Sequence, residues 1–189
     1  MFDTRTKNEI VTLTNAGGRA TFQNAGSTTR RGAEALIAAS FAASSTAQID
    51  LHVALTTLNA KYDDAFKTCT ATPCASPSVI VASGNKLPGV PATSVYAEAK
   101  LTHSAGFNAA IEAKQQSKIY VNDLNTDAAA AYTIASARAG YTFTLGAARI
   151  VAGIRGDNLS NKRYAATVIV NEGNGRYLNP RRAGRGLQR

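Results

Sequence analysis

Val95-Tyr96-Ala97-Glu98-Ala99-Lys100-Leu101-Thr102-His103 is the stretch that decides the fold. Successive side chains of an extended chain point to opposite faces. Val95, Ala97, Ala99 and Leu101 therefore fall on one side, and Tyr96, Glu98, Lys100 and Thr102 on the other. The same period recurs on both sides of it. In 49–56, Ile49, Leu51, Val53 and Leu55 alternate with Asp50, His52, Ala54 and Thr56. In 110–118, Glu112, Lys114, Gln116 and Lys118 oppose Ile111, Ala113, Gln115 and Ser117. In 146–155, Gly146, Ala148, Ile150, Ala152 and Ile154 oppose Ala147, Arg149, Val151, Gly153 and Arg155. Each reads as a strand with one apolar and one polar face.

Further strands are predicted near 5–14, 30–43 and 132–143. The alanines of 30–43 would equally permit a helix. Ala33, Ala35, Ile37, Ala39 and Phe41 follow period two between strand-like neighbours, so a strand is expected. In 132–143, Ala135, Ala137, Ala139, Tyr141 and Phe143 share a face, with the aromatics at its end. This makes about seven strands, each on the order of 10 to 14 residues, near the length that crosses a bilayer when tilted. Connections alternate as well. Short ones are expected at Ser44-Ser45-Thr46, Ser104-Ala105 and Thr144-Leu145, and long ones at roughly 15–29, 62–91, 122–131 and from 157 onward. Tight turns on one edge and long loops on the other are the arrangement of an up-and-down transmembrane barrel. A soluble sandwich would show shorter strands with turn signals every 8 to 12 residues or so.

Composition agrees. Of 189 residues, 44% are hydrophobic and only 17% charged, against roughly 25% charged in soluble domains. Alanine supplies much of the apolar fraction, and Thr, Ser, Asn and Gln fill the remainder, as suits a wall with one lipid face and one wet face. Seven Tyr and six Phe suffice for thin aromatic girdles. The net charge of +9 is spread out, with clusters at Arg30–Arg31, Lys162–Arg163 and Arg181, Arg182, Arg185 and Arg189. No segment interleaves cations with stacking aromatics, so no nucleic-acid partner is expected. No apolar run approaches the roughly 18 residues of a membrane helix, and Met1–Lys7 lacks the apolar core of a secretory signal. A barrel must be exported, so either this chain is not exported or it is a fragment whose front end is missing.

Asn8-Glu9-Ile10-Val11 leads into Ala20-Thr21-Phe22-Gln23-Asn24-Ala25-Gly26 and then Thr29-Arg30-Arg31-Gly32-Ala33-Glu34. Downstream come Gly84-Asn85-Lys86-Leu87-Pro88-Gly89-Val90-Pro91, Ile119-Tyr120-Val121-Asn122-Asp123 and Asp157-Asn158-Leu159-Ser160-Asn161-Lys162-Arg163-Tyr164. Val168-Ile169-Val170-Asn171-Glu172-Gly173-Asn174-Gly175-Arg176-Tyr177 closes the series. In this order the segments resemble the barrel of TonB-dependent outer-membrane receptors of the siderophore type, from about residue 3 to 180. Members of that family close about 22 strands around a plug domain. They import iron chelates, cobalamin or similar scarce solutes with energy relayed from the inner membrane. The resemblance implies an all-β antiparallel barrel segment, truncated, with short periplasmic turns and long extracellular loops. It implies outer-membrane lipid around the chain in a Gram-negative bacterium. In the whole receptor, a plug, a TonB-type energy transducer and a small solute such as a ferric siderophore would be partners. Residues 1–180 would be partial barrel, and 181–189 an atypical basic tail without the alternation and terminal aromatic expected of a last strand. A fragment of this kind is not expected to transport by itself. A soluble β-rich binding or adhesion module and a passive porin-like channel are the alternatives.

Arg149, Arg155 and Asp157 share the polar face of their strand and are the candidate lumen-facing groups. Paired charges there hold a plug, or attract an anionic chelate. Cys69 and Cys74, in Cys-Thr-Ala-Thr-Pro-Cys, are candidates for a short loop disulfide, with two free thiols as the alternative. The loop 62–91 that carries them is the best candidate for solute contact. His52 and His103 are single and read as structural, because they lack the spacing of a metal site. Asp63–Asp64 lacks the oxygen spacing of a calcium loop and reads as a solvated loop start. Lys162, Arg163 and Tyr164 read as anchors at the headgroup level. No Gly-x-Ser-x-Gly, His-Glu-x-x-His or Gly-x-x-x-x-Gly-Lys-Ser/Thr motif occurs, so neither enzyme chemistry nor a cofactor is expected.

Overall fold

The period-two segments form a single wall. The computed structural model describes residues 1–71, 73–172, 178–181 and 187–188, with the side chains of 166, 178–181 and 187–188 left aside. Every regular element among them is a strand. In chain order they are β1 (Phe2–Thr6), β2 (Ile10–Ala16), β3 (Arg19–Asn24), β4 (Thr28–Ser44), β5 (Ala47–Tyr62) and β6 (Phe66–Thr68). Next come β7 (Val79–Val81), β8 (Thr93–His103), β9 (Phe107–Gln116), β10 (Ile119–Tyr120) and β11 (Ala128–Ala129). The series ends with β12 (Tyr132–Leu145), β13 (Ala148–Gly156), β14 (Tyr164–Val168), β15 (Leu178–Arg181) and β16 (Leu187–Gln188). An antiparallel sheet runs β1-β4-β5-β8-β9-β12-β13-β16, with β1 and β16 as its edges. The order is a linear meander, so the barrel is not closed. The last strand is two residues of the basic tail, set against Arg155 and Gly156.

Turns of two or three residues, 45–46, 104–106 and 146–147, join the wall strands along one edge. Along the other edge each connection carries its own hairpin: β2–β3, β6–β7, β10–β11 and β14–β15. Gly106 shows why one tight turn needs glycine. Its φ is +93°, and a Cβ there would strike the carbonyl of Thr142 on β12.

Register decides which side chains share a face. Ile37 pairs with Val53, Val53 with Ala97, Ala97 with Ala113 and Ala113 with Ala135. Tyr141 pairs with Ala152 and Phe143 with Ile150. The apolar sides of six strands thus form one continuous face, with Ile37, Ile111 and Ile154 all more than half exposed. On β4 this face runs from Ala33 to Phe41. At about 3.3 Å per residue and a tilt near 40°, that spans on the order of 20 Å, close to the apolar band of an outer-membrane barrel. Phe41, Phe107, Tyr141 and Phe143 rim it at the short-turn edge.

The opposite face carries Asp50, His52, Tyr96, Glu98, Lys100, Glu112, Lys114 and Arg138, with Leu36, Leu58, Ile134 and Val151 among its apolar interruptions. The packed core lies in neither face. It sits at the long-loop edge, where Ala25, Ala60, Tyr62, Val81 and Leu87 are buried together.

Several expectations need correction. The strand expected at 5–14 is two strands in different sheets. Asn8, with φ of +56°, turns the chain, and Ile10–Ala16 leaves the wall to pair with Arg19–Asn24. The loop expected at 15–29 therefore contains β3 and the start of β4. The turn expected at Thr144-Leu145 lies at Gly146-Ala147, because Thr144 and Leu145 still pair with Arg149 and Ala148. Lys118 lies beyond β9, with its ammonium 4.7 Å from the centre of the Tyr120 ring.

Candidate functional site

Four of the quoted sequence segments meet above the wall and form a cap over its long-loop edge. Ala25 donates its N–H to the Glu9 carbonyl, and Glu9 donates to that of Gly26, both at 2.8 Å. Gly26 has φ of +77°, and a Cβ there would meet the Asp64 carboxylate. Arg30 at the base of β4 donates to both Glu9 oxygens, at 3.2 and 2.9 Å, and Thr28 adds a third bond at 3.0 Å. Arg30 holds the Glu9 carboxyl below the ordinary glutamate range, against a smaller opposing effect of burial.

The centre of the cap is a buried polar cluster. Tyr62 and Asp123 are each 1% exposed. The Tyr62 hydroxyl donates to Asp123 Oδ1 at 2.6 Å, and Asn171 Nδ2 donates to Asp123 Oδ2 at 2.8 Å. Asn171 also donates to the Thr12 carbonyl at 2.5 Å and accepts from the Asp123 N–H at 3.2 Å. Asn85 donates to the Asp123 carbonyl at 2.9 Å. Asn125 and Lys86 exchange two bonds, at 2.7 and 2.9 Å. Asp123, through its carboxylate, N–H and carbonyl, and Asn171, through its bond to Thr12, thus tie together four connections distant in sequence. A recess of about 290 Å³ opens beside it, lined by Thr68, Cys69, Thr70, Asn122, Asp123 and Asn171 among others. Cys69, which lines the recess, forms a disulfide with Cys74, with Cα atoms 6.1 Å apart.

Burial raises the Asp123 carboxyl above the ordinary aspartate range, opposed by its bonds from Tyr62 and Asn171. A raised acid binds its proton in the fold before the unfolded chain does. Its contribution therefore grows as pH falls through the folded value and is lost as pH rises through it. The protection factors of the Val121 and Asn171 amides, corrected for the intrinsic pH dependence of exchange, are accordingly expected to rise on mild acidification, and Asp123→Asn to remove that rise. Tyr62→Phe leaves one Asp123 oxygen unpaired and is expected to loosen the cap by about 1–3 kcal/mol, read from the same amides. Unchanged exchange would show that the cap does not depend on this bond.

The polar face of the wall carries a ladder of charge. Glu112 on β9 accepts two bonds from Arg155 on β13, each 2.8 Å, and another from Arg138 on β12 between them. Arg138 also donates to Glu98 on β8 at 2.9 Å, and Glu98 accepts from Tyr96 at 3.0 Å. Arg155 reaches Asp157 at 2.9 Å. Arg155 and Asp157, expected together, do meet. Arg149 does not join them. It faces the same way, opposite Thr144, but lies six residues nearer the short turns, about 20 Å along the strand.

The remaining expected residues fall as follows. His52 stands on the polar face across from Glu98, and His103 bonds Thr46 Oγ1 at 3.1 Å beside its turn. Asp63 and Asp64 are not a freely solvated loop start. Asp63 accepts from Thr29 at 2.5 Å and Asp64 from the Ser27 N–H at 2.7 Å, which pins the loop to β4. Tyr164 stacks on Tyr132, with ring centres 4.5 Å apart. Among the described residues no cluster of three His, Cys, Asp or Glu side chains could hold a metal ion. Sequence reasoning missed Tyr62, Asp123 and Asn171 as one unit, and Arg138 altogether.

Residues 1–159 match the family described as TonB dependent receptor-like, beta-barrel. The fold is also similar to the crystal structure of the siderophore receptor PiuA from Acinetobacter baumannii. The TM-score is 0.71 at 19% identity, over 96% of this chain and 23% of that one. The chain therefore spans about a quarter of that receptor's length. Strand order, register and the family match over most of the chain agree, and the chain belongs to the TonB-dependent receptor β-barrel family.

Proposed function

We propose that this chain is a length of outer-membrane barrel wall from an importer of scarce solutes such as iron–siderophore complexes. One observation carries the reading: a continuous apolar face of bilayer height backs directly onto a charged polar face. In a lipid setting the first meets acyl chains and the second the lumen. Residues 1–180 would be wall and cap, and 181–189 a basic tail. The short turns then lie in the periplasm and the capped loops outside the cell, with the recess beside Asp123 open to arriving solute. The ladder from Glu98 to Asp157 has two arginines among three carboxylates, and suits a surface that seats a plug. Arg149, outside the ladder, would be left to face an anionic solute or a plug carboxylate. Energy transduction through a TonB-type partner belongs to that plug.

The soluble alternative would need the apolar stripes to close on each other, and Ile37, Ile111 and Ile154 each stay more than half exposed. An open sheet leaves backbone groups at both edges that lipid cannot satisfy. The chain alone is thus expected to give no ferric-chelate uptake when expressed with an export signal in a receptor-deficient Gram-negative host. Uptake at the level of an intact receptor would overturn this reading.

A further inference from the structure

Beyond the apolar face, at the long-loop edge, the same outward side of the wall turns basic. One cross-strand row reads Arg5, Thr29, Lys61 and Lys86. The row below it reads Asp3, Arg31 and Asn59, and Ala33 begins the apolar face next. Parity puts all of these on the side that carries Ile37 and Val53, not on the side of the charge ladder. Two contacts agree: Lys86 Nζ reaches Asn59 Oδ1 at 2.5 Å, and Thr29 holds Asp63 on this side.

Four cations here face two carboxylates. Arg31 pairs with Asp3 at 2.9 Å and Arg5 with Asp63 at 3.5 Å, and both arginine side chains stay about two-thirds exposed. Among the described residues no carboxylate pairs with Lys61 or Lys86. They are direct partners across an antiparallel bridge, so two lysines leave one face from backbones at strand spacing, about 4.8 Å apart. Like charges placed directly opposite each other destabilise a sheet. A fixed anion between the two lysines would reverse the sign of that interaction.

We propose that Lys61 and Lys86, flanked by Arg31 and Arg5, form a docking surface for the phosphorylated headgroup of an outer-leaflet lipid whose acyl chains lie along Ile37, Val53 and Leu55. The proposal rests on the reading of the apolar face as lipid-facing. The patch begins one side-chain layer above that face, as a headgroup phosphate does above its own chains. The aromatic rim lies at the opposite edge, so the two edges of the wall differ in the headgroups they select.

The test uses the full chain folded in neutral detergent micelles, doped with either a phosphorylated glycolipid or an uncharged one, with affinity read by native mass spectrometry. The phosphorylated lipid is expected to bind preferentially. Each cation near a headgroup contributes about fivefold, so Lys61→Gln with Lys86→Gln is expected to weaken binding roughly 25-fold. Lys100→Gln with Lys114→Gln removes the same charge from the other face and is expected to change nothing. Millimolar inorganic phosphate is expected not to displace the lipid.

Equal losses in the two double variants, no preference for the phosphorylated lipid, or displacement by inorganic phosphate would each overturn the proposal. If the chain is instead monodisperse without detergent, the lipid-facing reading falls and takes the proposal with it. A micelle-bound chain that ignores the phosphorylated lipid sinks this proposal alone.

Discussion

Val53→Arg is expected to cost the micelle- or bilayer-embedded fold about 2–4 kcal/mol, the penalty for a cation at mid-height on the lipid face of a barrel. Val53 lies midway along the apolar face, paired with Ile37 on one side and Ala97 on the other. A guanidinium there finds no carboxylate within reach on its own face, since the row that carries Asp3 pairs at Asn59, six residues and about 20 Å along β5. Ala54→Arg, one residue on, points the same group among Leu36, Tyr96 and the ladder side, and is expected to cost under about 1 kcal/mol. The comparison isolates facing, since both changes insert one charge into β5 with the same strand neighbours. Urea unfolding in lipid vesicles reads both. Equal costs would mean that neither face is buried in lipid, and a larger cost at Ala54 would invert the wall.

The wall was legible because lipid and water act on alternate residues, and that alternation survives in the linear order. Val95 to His103 announces its strand, and the apolar sets of five other segments turn out to share its face. Strand ends were less legible. Beyond the apolar face, Thr57, Asn59 and Lys61 pair as regularly as Leu55 does, but no hydrophobic contrast marks them. The break at Asn8 was invisible for the opposite reason, since Thr6, Ile10 and Thr12 keep the period across a chain reversal. A left-handed asparagine leaves little pattern behind it.

The cap and the ladder were legible as ingredients and not as assemblies. The segments around Ala25, Leu87, Val121 and Asn171 stood out as family motifs, but nothing local says that they hold one another. Tyr62 finds Asp123 61 residues away, and Asp123 finds Asn171 48 residues further on. Glu98 and Glu112 were placed on polar faces by parity alone. That they share Arg138, 40 and 26 residues downstream, depends on register, which period two leaves undetermined. The pairing of Arg155 with Asp157 was readable because a separation of two keeps both on one side. Arg149 misled because sharing a face says nothing about height along it.

Glu112→Gln is the sharper probe of the ladder. Its carboxylate is one-tenth exposed and accepts from two arginines that are cross-strand partners of each other. Removing the charge leaves Arg138 and Arg155 side by side, with only Glu98 and Asp157 at the flanks. Breaking a buried pair costs about 3–5 kcal/mol, but both guanidiniums are about one-third exposed and partly screened. A loss of roughly 2–3 kcal/mol is therefore expected, and it should grow at low salt as the arginine repulsion is less shielded. Adding Arg155→Gln removes the stranded partner and is expected to restore about 1–2 kcal/mol, a coupling that a loss of packing alone would not produce. Additive costs in the double variant would dissolve the ladder into separate surface charges and leave the polar face without an organised seat for a plug.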